Sequence, residues 1–157
     1  LKPVESKKRF KVGPFTVMPF DVKHDAAEPY GYLINHEESG NILFITDTYY
    51  VDYKFKNLHN ILIEANYSQE IIDRRAYEGK LPHFLSKRIQ NSHLSLETCI
   101  EVLKGNDLTS VNNIVLLHLS DGNSNEKQFK AKVAAETGKT VYVADKGLAI
   151  SLNKTPF

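Results

Sequence analysis

Residues 113–120, NIVLLHLS, make a nearly continuous apolar run. A strand with one wet face alternates apolar and polar positions, and this one does not. A run of this kind suits a strand covered on both faces. It demands material on either side of a sheet, and the neighbouring sequence supplies helices. Upstream, SLETCIEVLKGN carries Leu96, Cys99, Ile100 and Leu103 on one helical face, with Ser95 as N-cap and Gly105 just past the end. Downstream, NEKQFKAKVAAET is closed by Gly138 and leads to a strand TVYVA, a turn at Asp145-Lys146-Gly147 and an expected last strand, LAISL.

The first third reads as a meander. FTVMPFDVK (15–23) has strand alternation, with Pro19 pointing to an edge or a bulge. YGYLINH (30–36) and NILFITD (41–47) are joined by four residues ending in Gly40, a hairpin-length connection. NILIEAN (60–66) is a further strand, followed by Ser68 as N-cap of the helical stretch QEIIDRRAYEG, and LPHFLSKRIQN (81–91) reads as a short helix after Pro82. Strands first, then strands alternating with helices, predict an α/β fold: a mixed β-sheet flanked by helices.

At 157 residues the chain suits one domain, 1–157. Twenty Lys and Arg against nineteen Asp and Glu leave a net charge of +1, so any attraction for a polyanion must be local. The cations do cluster, at Lys7-Lys8-Arg9-Phe10-Lys11, Arg74-Arg75 and Lys87-Arg88; a solvated face is the plain reading of each. The single cysteine, Cys99, excludes an internal disulfide and a cysteine zinc site, and fits a reducing compartment. No apolar run approaches the roughly 18 residues of a membrane helix and no signal peptide opens the chain, so the expected location is cytoplasmic, with no membrane partner. The first residue is Leu1, and the abrupt basic opening suggests part of a longer protein.

Three strands run into a potential metal ligand: His24, Asp47 and His118. His93 precedes the helix entered at Ser95, and Glu64 ends the strand NILIE. Nitrogen and oxygen donors of this kind suit Zn²⁺ or Mn²⁺. Each also has a plainer reading. A histidine at a strand edge can be a hydrogen-bonded core residue, and Asp47 in TDT can bond its own turn. His36, His59 and His83 read as loop residues without partners.

Taken in order, VKHDAAEPYGYLI, LFITDTYYV, LIEANYS, NSHLSLE and LLHLSDGNSNE resemble segments of the metallo-β-lactamase superfamily, in its nuclease and phosphodiesterase branches. They are most similar to the WalJ/YycJ-like and ribonuclease Z types, over residues 10–152. The resemblance implies the C-terminal two-thirds of an αββα sandwich and a metal-dependent hydrolase of phosphodiesters, with nucleic acid as possible substrate. It implies His24 and His118 as metal ligands, Asp47 as the carboxylate bridging two divalent ions (Zn or Mn), and His93 beside the reacting phosphate. Asp25 and Glu64 would orient the metal histidines, and Arg74, Arg75, Lys87 and Arg88 would meet phosphates.

Two departures stand out. The superfamily's His-x-His-x-Asp-His cluster is absent, since no two histidines here lie two apart. Tyr67 stands where the relatives often carry histidine. Three ligands are too few for two ions, so this polypeptide alone is expected to bind metal weakly and to be inactive. Two alternatives stay open: the same fold acting on a small phosphodiester or thioester, and a non-catalytic binding domain that has dropped its metal cluster. An incomplete sandwich also makes a homo-oligomer an expectation.

Overall fold

The computed structural model describes residues 3–156. Its strands are β1 (Phe10–Val12), β2 (Phe15–Asp21), β3 (Tyr30–His36), β4 (Gly40–Ile45), β5 (Leu58–Glu64), β6 (Asn113–Leu117) and β7 (Thr140–Val143). They form one seven-stranded sheet in chain order. β1 to β4 pair antiparallel, whereas β4, β5, β6 and β7 pair parallel. Parallel pairing needs crossovers, and the helices supply two of them: α1 (Gln69–Tyr77), α2 (His83–Ser92) and α3 (Leu96–Lys104) between β5 and β6, and α4 (Glu126–Thr137) between β6 and β7. No described helix is long and apolar enough to cross a membrane.

One face of the sheet carries the core. Leu43, Ile45, Ile61, Ile63, Ile114, Leu116 and Val141 pack with Leu96, Cys99, Ile100 and Leu103 of α3 and Phe129 and Val133 of α4. A second, small cluster holds Tyr67, Ile72 and Leu81, with Ile89 against it, beneath α1 and α2.

Pro19 explains itself in the pairing. β1 reaches only as far as Val17, so beyond it β2 is an edge, and a residue without an N–H loses nothing there. Three expectations are corrected. LAISL (148–152) is not a strand: β7 ends at Val143, and the following chain crosses the strand starts instead, where Asn60, Asn112 and Asn113 donate to the carbonyls of Ser151 and Asn153. β1, three residues inside the basic run, was not expected at all. His36 and His59 lie within β3 and β5 and His83 opens α2, so none is a loop residue. His59 has a partner too, since its Nδ1 accepts from the Asn41 N–H at 3.0 Å.

Candidate metal centre

The parallel strands β4, β5 and β6 end side by side: Asp47 lies two residues past β4, Glu64 is the last residue of β5 and His118 directly follows β6. Glu64 is the hub. Its carboxylate is fully buried, and Oε1 lies 2.8 Å from His93 Nδ1 and 2.9 Å from His118 Nδ1. Oε2 accepts from the backbone N–H groups of Thr48 (3.2 Å) and Leu94 (3.3 Å). A buried carboxylate is tolerable only when satisfied in this way. The hydrogen bonds place protons on both Nδ1 atoms and leave Nε2 as the free lone pair on each ring. Glu64 also holds the His93 pKa above its ordinary value, first through that hydrogen bond and then through its charge, against the opposing effect of burial.

Asp47 follows β4 on left-handed backbone, φ 52°, and His118 follows β6 likewise, φ 54°. Two of the four non-glycine residues with positive φ among those described therefore sit in one cluster, a concentration of strain typical of functional sites. Local contacts hold both. Thr46 Oγ1 donates to Asp47 Oδ2 at 3.1 Å, turning Oδ1 toward the imidazoles, 3.3 Å from His118 Nδ1 and 3.8 Å from His93 Nδ1. The buried Thr48 receives the Lys23 N–H on its hydroxyl at 3.0 Å. Asn66 Nδ2 donates to the His118 carbonyl at 2.8 Å, and Ser120 N–H donates to the Asn66 carbonyl at 2.9 Å. Thr48 and Asn66 escaped the sequence reading; the available signal was a polar residue two or three positions past each apolar strand.

Asp47, Glu64, His93 and His118 each offer a donor atom within 4.8 Å of the others. The Asp47 separations of 3.3 and 3.8 Å run to the same Nδ1 atoms that meet Glu64, so they set the carboxylate beside both imidazoles and are not spacings between metal donors. The Glu64 separations are hydrogen-bond lengths. The donor set, two imidazoles and a carboxylate oriented by a second carboxylate, fits a divalent ion such as Zn²⁺ or Mn²⁺.

His24 stands at the rim. Its ring centroid is 6.0 Å from that of His93, which is 5.0 Å from that of His118. It is outside the quartet, with Nδ1 lying 3.0 Å from the Ala26 nitrogen and 2.9 Å from Asp25 Oδ1, accepting from the first or donating to the second. Asp25 is exposed and orients that ring. Tyr67 packs in the small core cluster, where burial, then Glu97 and Glu64, push its phenol up to about 12. Arg74, Lys87 and Arg88 are exposed on α1 and α2. Arg75 differs: its Nη1 donates to Asn123 Oδ1 at 2.8 Å, bracing the loop after His118.

No family model and no curated protein sequence matches the chain. Solved structures do. The metallo-β-lactamase fold protein YhfI from Bacillus subtilis superposes with a TM-score of 0.65 at 15% identity, over 92% of this chain and 51% of its own. Igni18, a metallo hydrolase from the archaeon Ignicoccus hospitalis, gives 0.58 at 13%, over 93% of this chain and 58% of its own. CmlA, a diiron β-hydroxylase from Streptomyces venezuelae, gives 0.51 at 11%, over 90% and 32%. The mixed sheet with its helices has the metallo-β-lactamase fold, and the chain spans about half the length of the first two structures it matches.

Proposed function

We propose that this chain, an α/β unit with the metallo-β-lactamase fold, is the part of a metal-dependent hydrolase that carries Asp47 and His118 as metal ligands, and that its substrates are phosphodiesters, nucleic acid among them. The observation that carries the reading is the convergence of Asp47, Glu64 and His118 from adjacent strand ends with His93 from the C-terminal cap of α2. Fold alone would not carry it, because the same fold in CmlA serves a β-hydroxylase.

When bound, a divalent ion supplies Lewis-acid polarisation of a phosphoryl oxygen and a water of lowered pKa. The chain's own residues do the rest. Asp47 and His118 would hold the ion, the latter through Nε2, with His24 at the rim as a further candidate donor. Glu64 fixes the ring orientation of His93 and His118 together, so that neither imidazole turns away. His93, with Nδ1–H kept on Glu64, would act as the imidazolium, giving the proton on Nε2 to the leaving oxygen. These ligands would suffice for one ion and fall short of two, so this chain alone is expected to bind weakly and turn over little.

Titration calorimetry with Mn²⁺ and Zn²⁺ tests this. The expected result is one weakly held ion per chain, with affinity reduced at least tenfold by Asp47→Asn and by His118→Ala. Binding unaffected by both substitutions overturns the ligand assignment, and tight binding of two ions overturns the incomplete site. Hydrolysis of bis-p-nitrophenyl phosphate against single-stranded DNA, duplex DNA and RNA then assigns the substrate class.

A further inference from the structure

α2 is built inside out. Its sheltered positions are Ser86, Ser92 and the half-buried Ile89, while Phe84 is 69% exposed and Leu85 faces water beside it. Core packing accounts for the opposite pattern, large apolar side chains inward and serines outward. Across the short connection, Tyr77 at the end of α1 is 94% exposed. The tip of the α1–α2 hairpin thus presents two aromatic rings that no core requires.

The charge around these rings leans positive. The hairpin, residues 69–92, contains Arg74, Arg75, Lys80, Lys87 and Arg88 against Glu70, Asp73 and Glu78; five cations less three anions leave +2, in a chain whose net charge is +1. Lys80 pairs with Glu78 and Arg75 with Asn123. Arg74, Lys87 and Arg88 make no ion pair and no side-chain hydrogen bond among the described residues. Spacing sets cation beside ring: Lys87 and Arg88 lie three and four residues after Phe84 on one helical face, and Arg74 lies three before Tyr77.

We infer that the α1–α2 hairpin is a docking platform for single-stranded nucleic acid, its bases stacked on Tyr77 and Phe84 and its phosphates met by Arg74, Lys87 and Arg88. Duplex DNA satisfies the cations but not the rings, because its bases are already stacked on one another; an unpaired strand satisfies both. The platform connects to the metal centre through a rigid strut. α2 runs from His83 to Ser92 with His93 as its C-cap, so Phe84 stands about 14 Å along the helix axis from the histidine bonded to Glu64. A strand held at the tip is thereby led toward the quartet. The inference rests on the phosphodiesterase reading for its purpose and not for its evidence.

The test is fluorescence anisotropy of the chain with a labelled oligothymidylate and with a hairpin duplex of equal length, in chelator, so that neither metal nor turnover enters. The double variant Tyr77→Ala/Phe84→Ala is expected to lose at least tenfold in affinity for the single strand and little for the duplex. Lys87→Glu/Arg88→Glu is expected to weaken both, with a shallower salt dependence. Both sets lie at exposed positions, and an unchanged circular dichroism spectrum and Mn²⁺ titration confirm the fold. Equal single-strand affinity in the aromatic variant overturns the platform and leaves the metal proposal standing. Loss of Mn²⁺ binding in the wild type, with ring-dependent strand binding retained, does the reverse. Absence of binding to either nucleic acid also overturns the platform and leaves a protein partner as the occupant.

Discussion

Glu64 is the residue on which the centre turns, because one fully buried carboxylate meets two histidines and two backbone donors. Glu64→Ala strips partners from Thr48 N–H and Leu94 N–H in a closed space, and the expected loss is about 2–4 kcal/mol in urea unfolding. Glu64→Gln keeps the volume and an acceptor oxygen; it is expected to keep most of the stability and to lower metal affinity about 10- to 100-fold by titration calorimetry. Retained affinity in Glu64→Gln would mean that the rings are held without it. The residues by themselves offered Glu64 as an acid closing an apolar strand, and the family resemblance gave it the orienting of the metal histidines. Its partners lie 29 and 54 residues away, and no local pattern encodes contacts that distant. A second residue sets a pH dependence. Burial, then the charge of Lys154, hold the His59 imidazole below its ordinary 6.5. The unfolded chain therefore takes up the proton first, so the stabilisation is complete above about pH 6.5 and is lost as pH falls through 6.5 toward the folded value. Urea midpoints measured across mildly acid pH should fall in the wild type and fall less in His59→Gln.

Elements differ in how openly the sequence declares them. α3 declares itself fully: Leu96, Cys99, Ile100 and Leu103 are all buried, Ser95 Oγ accepts from Thr98 N–H at 3.0 Å, and Gly105 caps the end. Ser95→Ala should cost about 1 kcal/mol in thermal or urea unfolding, restored in part by Ser95→Asn. The strands β2 to β6 are legible for a related reason, since each is an apolar run bounded by turn residues. LAISL has the same composition and is not a strand, because composition says nothing about whether a neighbour offers a free edge. Short β1 fails in the other direction, its three residues being too few to show a period. At the site, the sequence placed Asp47, His93 and His118 at element ends, yet the left-handed turns that aim Asp47 and His118 inward belong to no residue preference strong enough to read, because these are not glycines.

At the scale of the whole molecule the sheet has two faces and the described helices cover one. Across the other runs an unbroken register, Pro19, Tyr32, Phe44, Leu62, Val115 and Tyr142, each paired with the next. None belongs to the main core cluster, and Tyr32, Phe44, Leu62 and Tyr142 keep partial exposure. Parallel strands such as β4 to β6 are ordinarily covered on both sides, and a contiguous exposed apolar patch is the kind of surface on which proteins associate. The continuous apolar character of β6, which first required a covered sheet, is met here on one side only. Residues 1–157 expressed alone are therefore expected to associate through this face. Sedimentation velocity should show a mass that rises with concentration, and Tyr32→Lys/Phe44→Lys should return the chain to a monomer with its circular dichroism unchanged, since both rings lie outside the main core. A wild-type chain that stays monomeric at high concentration would mean that the row tolerates water, and the apolar strand would then need another explanation.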